Sequence, residues 1–195
     1  MWWARLLNVI SGLLAGGVAA STNSYESIQT YTVGAGGQAS ISFSSIPSTY
    51  KHLQIRSLGR TDRAATTDNL KITINSDSGS NYFLSHFILG DGASASAGND
   101  GAGTYALNYR LTGASAASSI FGAVITDILD YTSTNKAKTI RALGAQDRNG
   151  AGEIFFSSAL WNPSTPAAIT SITLAPLIGS NFVQYSSFAL YGIKG

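Results

Sequence analysis

The residue types that most often carry catalysis or bind metals are few in this chain and lie far apart. Its two histidines, His52 and His86, each sit in a strand-like run with no neighbouring His or Cys. A zinc site built on a helical histidine pair is therefore excluded, and a catalytic zinc would need carboxylates that converge from distant segments. Since a lone histidine in a strand is usually a packed or half-exposed residue, we assign both a structural role.

The glycine-containing motifs of hydrolases and nucleotide-binding proteins are missing. No Gly-x-Ser-x-Gly sequence places a nucleophile on a strand-turn-helix elbow, and no Gly-x-x-x-x-Gly-Lys sequence cradles phosphate. The run Gly-Ala-Gly-Gly at 34–37 superficially resembles a dinucleotide-binding loop. It lacks the third spaced glycine and a following helix, so a hairpin turn explains it better. We therefore predict that the protein is not an enzyme and binds no cofactor.

Acidic and amide side chains cluster in sequence around one strand-like run. The set comprises Asp62, Asp68, Asn69, Asn75, Asp77 and Asn81. Such oxygen ligands could hold calcium in a loop, but their spacing does not match the calcium loop of helix-loop-helix proteins. Asx residues are also the usual occupants of turns, so the turn interpretation is favoured and no metal site is predicted. A glycosidase pair drawn from the same carboxylates is a further alternative, for which their separation is the test.

Aromatic rings beside strand ends are the remaining candidates for a binding site. Sugar-binding β-sandwiches stack pyranose faces on exposed rings, and the candidates of this kind are Tyr82, Tyr105, Tyr131 and Trp161. Trp161 is the best candidate for exposure, because Asn162-Pro163 follows it at a strand-to-loop transition. The alternative is that these residues belong to the core, and it is favoured because large aromatic side chains dominate buried area.

The composition describes a surface that suits contact with neighbouring proteins. Of the 195 residues, 44% are hydrophobic and only 11% are charged, whereas ordinary globular domains have about 25% charged residues. Ser, Thr, Asn and Gly carry the polarity instead. The net charge is +2 and the arginines are scattered, so nucleic-acid binding has no support. No cysteine is present, which excludes disulfides and thiolate metal sites.

The first twenty residues differ from the rest and show helical periodicity. Their apolar stripe consists of Trp2, Trp3, Leu6, Leu7, Ile10, Leu13 and Leu14. The spacing predicts an amphipathic helix that docks against a partner, with Gly16 and Gly17 ending it and residues 21–24 forming a linker. We call residues 1–20 the docking segment.

Two other interpretations of the docking segment are a signal peptide and a membrane-surface anchor. Val18-Ala19-Ala20 is a tolerable cleavage site, but Trp2-Trp3 replaces the usual basic start, and Asn8 and Ser11 interrupt the apolar run. A surface anchor would lie at a membrane interface on the same apolar stripe. A membrane span needs about 20 consecutive apolar residues, and this run is shorter, so no span is predicted.

From residue 25 onward apolar residues alternate with polar ones, as in strands. Leu70, Ile72 and Ile74 alternate most cleanly, and similar runs recur between breaks rich in Gly, Asn and Asp. The pattern predicts one domain over 25–195, an all-β antiparallel β-sandwich or jelly roll of about eight to ten strands. The stretch Gly90–Gly103 consists of small and polar residues and is predicted to be a long exposed loop.

Several short segments of the sequence together resemble those of a known family. They are 25–28 (YESI), 32–37 (TVGAGG), 46–53 (IPSTYKHL), 59–82, 128–131 (ILDY) and 182–193 (FVQYSSFALYGI). Over nearly all of residues 25–195 the chain resembles a family of virion structural proteins from tailed phages, common among phages of cyanobacteria and other aquatic bacteria. The resemblance implies a component of the virion, and it carries no catalytic residues over to this chain.

Three functions are expected from the residues and the resemblance. The first is a tail-fibre or other appendage protein, anchored by the docking segment and contacting a host-surface glycan with the sandwich. The second is a capsid decoration or cement protein, and the third is a secreted carbohydrate-binding module. As a particle component the protein is expected to bind tail adaptor, baseplate or capsid proteins. It is also expected to form a homo-oligomer, with a trimer as one candidate by analogy with phage appendages.

Overall fold

The structure, a computed structural model, describes residues 24–101 and 103–195, and every regular element in this part of the chain is a strand. The docking segment, with its apolar stripe from Trp2 to Leu14, lies outside the described residues. The strands are β1 (Tyr25–Thr32), β2 (Ile41–Phe43), β3 (His52–Gly59), β4 (Thr67–Ile74), β5 (Tyr82–Asp91), β6 (Ser94–Asp100), β7 (Ala106–Thr112), β8 (Gly122–Ile128), β9 (Lys138–Asp147), β10 (Gly152–Trp161), β11 (Ile172–Pro176) and β12 (Ser187–Ile193). These strands pair antiparallel, which confirms the predicted all-β antiparallel class. The described residues contain no helix with the length and apolar character needed to cross a membrane.

The strands form two sheets, consistent with a β-sandwich. The larger sheet has the order β1-β12-β3-β8-β9-β10-β5-β6, and the smaller sheet has the order β2-β11-β4-β7. Pairing is nested, because β1 pairs with β12, β2 with β11, β3 with β8 and β4 with β7. These four pairs therefore form one long hairpin that is rolled up. Its successive strand pairs belong in turn to the larger and to the smaller sheet. Two shorter hairpins, β5-β6 and β9-β10, are inserted into this path and widen the larger sheet.

The stretch Gly90–Gly103, predicted to be a long loop, contains the strand β6, so that prediction is wrong. β6 pairs with β5 and forms an edge of the larger sheet. Gly92, whose φ is 60°, lies in the turn between the two strands and adopts the left-handed conformation that glycine tolerates best. An edge strand can consist of small and polar residues, because backbone hydrogen bonds attach it to the sheet. The apolar alternation that reveals other strands is therefore missing from β6.

The core lies between the two sheets and follows the alternation along the strands. In β4 every second residue is buried, and Leu70, Ile72 and Ile74 are fully buried, as their alternation indicates. Ile55 of β3 and Phe155 of β10 enter the same core from the larger sheet. Burying a side chain of this size stabilises the fold by about 1.5–3 kcal/mol relative to leaving it exposed.

A buried ionic group also joins the two sheets. The carboxylate of Glu153 on β10 lies 2.8 Å from Nε of Arg110 on β7, and Nε2 of Gln146 donates to it at 2.7 Å. Arg148 lies 3.7 Å from the same carboxylate and pairs with Asp91. Because a buried carboxylate must be paired and hydrogen-bonded, these contacts link β10 to β7 at a defined position.

Replacing Gly144 by Ala is expected to destabilise the fold. Gly144 pairs with Phe155 on the core side of β9, and an added Cβ would meet that ring and lie 2.8 Å from the carbonyl oxygen of Ala123. Because a backbone oxygen in a sheet cannot yield easily, we expect a loss of about 1–3 kcal/mol, measured by urea unfolding. Gly152→Ala on the same hairpin is the matched control, since nothing lies within 4 Å of its added Cβ. Equal unfolding midpoints for the two variants would contradict this account of the packing.

Candidate functional site

The outer face of the larger sheet carries large apolar side chains that remain exposed in the described part of the chain. Six of them lie on the five neighbouring strands β3, β8, β9, β10 and β5 and are each between 44% and 58% exposed: Leu58, Ile125, Leu143, Ile154, Phe156 and Ile88. We call these six residues the apolar belt. Single exposed apolar residues are common on protein surfaces, but a contiguous set of this size is typical of an interaction surface.

The strand register makes the belt contiguous. A first row of directly paired residues crosses five strands and consists of Ile125 (β8), Leu143 (β9), Phe156 (β10), Ile88 (β5) and Ala97 (β6). A second row lies two residues away from the first on every strand, on the same side of it. It consists of Ala123, Ala145, Ile154, Gly90 and Ala95, with Leu58 of β3 beside Ala123. Directly paired residues on one face lie about 4.5–5.5 Å apart, so neighbouring side chains in a row form one surface.

Core packing dictates that the belt faces outward. In β10, Phe155 enters the core, so its neighbours Ile154 and Phe156 point to the other side of the sheet. In β8, Val124 is buried while Ile125 is exposed. In an antiparallel sheet with one face in water, such outer positions are ordinarily polar. In this sheet, apolar residues occupy such outer positions: Ala123 and Ile125 in β8, and Ile154 and Phe156 in β10.

Sequence reasoning did not identify the belt, although one signal for it was present. Ile154-Phe155-Phe156 is a continuous apolar run inside a strand, and alternate residues of a strand face opposite sides of the sheet. Both sides of β10 must therefore be apolar at this point. A sheet that is apolar on both faces needs a cover on each, and the smaller sheet covers only the inner face.

Polar residues border the belt and carry both signs of charge. On the side of the first row, Asp127 and Arg141 lie on neighbouring strands and pair at 3.1 Å. Gln54 donates to Asp127 at 2.9 Å and accepts from Nε of Arg56 at 2.9 Å. On the side of the second row lies the exposed Asp147, two residues beyond that row on β9. An apolar centre with a polar rim is the usual anatomy of a protein–protein interface.

Three of the four aromatic candidates are buried, which confirms the favoured core interpretation for them, and Trp161, named as the best candidate for exposure, is one of the three. Trp161 is 2% exposed and Tyr131 is fully buried, and both belong to the core together with Tyr82. Their polar atoms bind within the protein, since Nε1 of Trp161 donates to Asp77 at 2.7 Å. The hydroxyl of Tyr82 likewise accepts the backbone N–H of Ile74 at 2.8 Å. Strand phase turns the rings of Tyr82 and Trp161 toward the core, and Tyr131 enters the core from the turn after β8, so these rings offer no face to a sugar.

Tyr105 differs from the other three candidates because it is only partly buried. It lines an open cleft of ≈ 730 Å³ together with Asn69, Thr104 and Leu177. Nζ of Lys71 lies 5.7 Å from the centre of its ring. Among the four aromatic candidates, Tyr105 therefore combines an accessible cleft with nearby polar groups.

The carboxylates that were considered as calcium ligands bind loops and turns. Asp62 accepts the backbone N–H groups of Ser180 and Asn181 at 2.7 and 3.0 Å. The buried Asp68 accepts from Oγ1 of Thr61 at 2.9 Å. Across residues 24–101 and 103–195, no group of three or more His, Cys, Asp or Glu side chains converges as a metal site would require. Asp62, Asn75, Asp77 and Asn81 lie between strands, in agreement with the turn interpretation. Asp68 and Asn69 lie within β4, so the turn interpretation is wrong for these two residues.

The two histidines lie on separate parts of the larger sheet. Nδ1 of His52 accepts the backbone N–H of Asp130 at 2.9 Å. His86 is exposed and pairs with Ser158 beside the belt. Their strands, β3 and β5, are separated by β8, β9 and β10, so the fold does not bring the two imidazoles together.

Comparison with known proteins adds no family to these observations. No protein-family model matches the chain, and a search of the curated proteins finds no match. The candidate site is therefore defined by the geometry of the larger sheet.

Acid is expected to weaken the contact between Asp77 and Trp161. Burial raises the pKa of the Asp77 carboxyl, but hydrogen bonds from Trp161, Asn81 and the Gly79 N–H outweigh it and lower that pKa below its ordinary value. Because the folded-state pKa is lowered, the contribution to stability is complete above the unfolded-state pKa of about 3.9. That contribution is lost as pH falls through the folded-state pKa.

We therefore expect Asp77→Asn to flatten the fall in stability between about pH 5 and pH 3, measured as the urea midpoint of unfolding at each pH. Trp161→Phe removes the indole donor and keeps an aromatic ring, so it should flatten the same profile in part. If both variants lose stability with acid as steeply as the parent protein, the proposed role of this hydrogen bond is wrong.

Proposed function

We propose that this protein is a non-catalytic structural subunit of a tailed-phage particle, and that within the virion it is a tail-fibre or other appendage protein. The observation that carries the proposal is the apolar belt, in which six large side chains are each about half exposed on one sheet face. Contiguous exposed apolar surface of this kind serves contact between proteins. The likeness of residues 25–195 to virion structural proteins suggests the kind of assembly.

The strand order supports a jelly-roll topology for the domain. The nested pairs β1-β12, β2-β11, β3-β8 and β4-β7 alternate between the two sheets, as expected for two Greek keys in one rolled hairpin. Jelly rolls occur in viral capsid proteins and in lectins, so this topology suits particle assembly and sugar binding alike. Because one fold serves many functions, the surface must decide between them.

The docking segment supplies a second contact in this proposal. Its apolar stripe is too short to span a bilayer, but an amphipathic helix of this length fits a groove on another protein. The groove would belong to a tail adaptor, a baseplate protein or a capsid protein. Residues 21–24 would then connect the docked helix to β1, and the belt would remain available for a different contact.

The proposed contact with a host-surface glycan lies at the cleft beside Tyr105. An aromatic face can stack on a sugar ring, and the neighbouring Lys71 and Asn69 supply polar groups that can orient its hydroxyls. The buried rings of Tyr82, Tyr131 and Trp161 take no part in this proposal.

A capsid decoration or cement protein is the second candidate function. The burial of Tyr82, Tyr131 and Trp161 favours it, because three of the four aromatic rings that could have bound a sugar are inaccessible. The belt is then the main exposed feature, and a cement protein needs chiefly a surface for contact between subunits. A secreted carbohydrate-binding module is a third candidate, and it would depend on Tyr105 alone among the four aromatic candidates.

Purified phage particles are expected to contain the protein, and its copy number separates the first two candidates. Symmetric tail structures use a few to a few dozen copies of a subunit, whereas head decoration uses hundreds, because the capsid repeats many more times. Quantitative mass spectrometry, with the major capsid protein as internal standard, gives this number. Protein found only in the culture medium and trimmed at its N-terminus would contradict the particle proposal and favour the secreted module.

Deleting residues 1–20 is expected to leave the β domain folded but absent from particles. Trp3→Asp combined with Leu7→Asp should have the same effect, since a charge buried in an apolar groove costs several kcal/mol. Asn8→Asp lies on the other face of the predicted helix and is the matched control that should keep incorporation. Immunoblots of purified particles measure incorporation, and circular dichroism checks the fold. Normal incorporation of the shortened chain would overturn the docking hypothesis.

A further inference from the structure

We infer that the apolar belt binds the belt of a second copy of this chain, so that two larger sheets stack face to face about a two-fold axis. The axis runs across the strands, between the first and second rows of the belt. The inference rests on the proposed function, because it names the partner of the same surface.

The area of the belt suits such a contact. Half-exposed side chains of this size each offer roughly 100 Å² to a partner, so the six offer on the order of 600 Å². A stable interface buries about 800 Å² on each partner. The belt therefore supplies most of the required area, and the polar residues on its two sides can supply the rest.

The sizes of the side chains in the two rows are self-complementary. A two-fold axis between the rows places the first row of one copy over the second row of the other. On three strands a large residue then faces a small one: Ile125 faces the partner's Ala123, Leu143 faces the partner's Ala145, and Ile88 faces the partner's Gly90. Facing layers pack well when large and small residues oppose each other, and stacked sheets lie about 10 Å apart. Two large residues face each other in β10, where Phe156 meets the partner's Ile154 at the centre, and in β3, where Leu58 meets the partner's Arg56.

The same axis brings opposite charges together at the rim. Along β9, Arg141 lies two residues before Leu143, and Asp147 lies two residues after Ala145. Rotation about the proposed axis therefore places Arg141 opposite the partner's Asp147, and the symmetry repeats this pair. Both residues are exposed in the single chain, where Arg141 pairs with Asp127 at 3.1 Å and Asp147 accepts the backbone N–H of Gly150 at 2.6 Å. The contact between copies is therefore made in addition to these bonds or in their place. Electrostatic complementarity of this kind favours one register of the two sheets over its neighbours.

The full-length chain is expected to sediment at twice its mass of 20.3 kDa. Leu143→Asp places a charge at the centre of the first row and should weaken the dimer by at least about tenfold. Ile178→Asp is the matched control, because Ile178 is a large residue that is 59% exposed but lies outside the belt, between β11 and β12. This control should remain dimeric. Urea unfolding of both variants checks that loss of the dimer is not loss of the fold.

A charge exchange tests the position of the axis. Arg141→Glu should weaken the dimer, because two carboxylates then face each other, and adding Asp147→Arg should restore it. The exchange does not restore the ion pair between residues 141 and 127 within one chain, so recovery would report the contact between copies. Failure of the double variant to recover would overturn the proposed register.

Other occupants of the belt give different results. A monomeric or trimeric full-length chain, or a dimer that survives Leu143→Asp, would overturn the inference. If the docking segment were the occupant, Trp3→Asp with Leu7→Asp would abolish association, whereas a belt-to-belt dimer should persist in that variant. Incorporation into particles distinguishes failure of the proposed dimer from failure of the proposed particle function. A monomer present in particles would refute the dimer alone, and a dimer absent from particles would refute the particle function alone.

Discussion

Phe155 packs against Gly144 on the core side of the larger sheet, and the rest of the structure depends on this contact. The missing side chain of Gly144 leaves the space that the ring occupies, since a Cβ there would overlap it. With Phe155 inside, the alternation along β10 places Ile154 and Phe156 outside. Pairing between β9 and β10 then carries Leu143 to the same outer face. The packed core and the exposed belt are two consequences of one strand phase.

Polar groups within the core restrict how the two sheets can be placed. Apolar contacts alone tolerate shifts in packing, whereas a buried carboxylate or indole is stable only when its specific partner is present. Glu153 reaches Arg110 on the opposite sheet, and Trp161 reaches Asp77 in the turn after β4. These contacts tie the inserted hairpin β9-β10 to the rolled hairpin that forms the remainder of the domain. The second contact also holds the indole of Trp161 in the core, so this aromatic residue at a strand end offers no face to a ligand.

The surface and the composition both favour a role in which the protein contacts other proteins. Few residues are charged, no cysteine is present to form disulfides, and one sheet face exposes a contiguous apolar area. A partner that binds the folded state stabilises it, because binding shifts the folding equilibrium by mass action. The assembly role that we propose accounts for these three features together, since a partner on the belt would cover it and supply stability that covalent bridges do not.

By itself the sequence determined the all-β class, the turn role of four of the six Asx residues and the buried alternation of Leu70, Ile72 and Ile74, since these follow from local periodicity and turn chemistry. It did not determine β6, whose small residues attach through backbone hydrogen bonds, nor the burial of Trp161, nor the outward direction of Ile125 and Phe156. Alternation with a period of two is a property of the chain, but which half of the residues faces inward changes with a shift of one residue. Only contacts between strands and between sheets select that phase. In β10 both sets of alternate residues include large apolar side chains, and tertiary packing turned Phe155 inward. Ile154 and Phe156 were thereby left outside, in the belt.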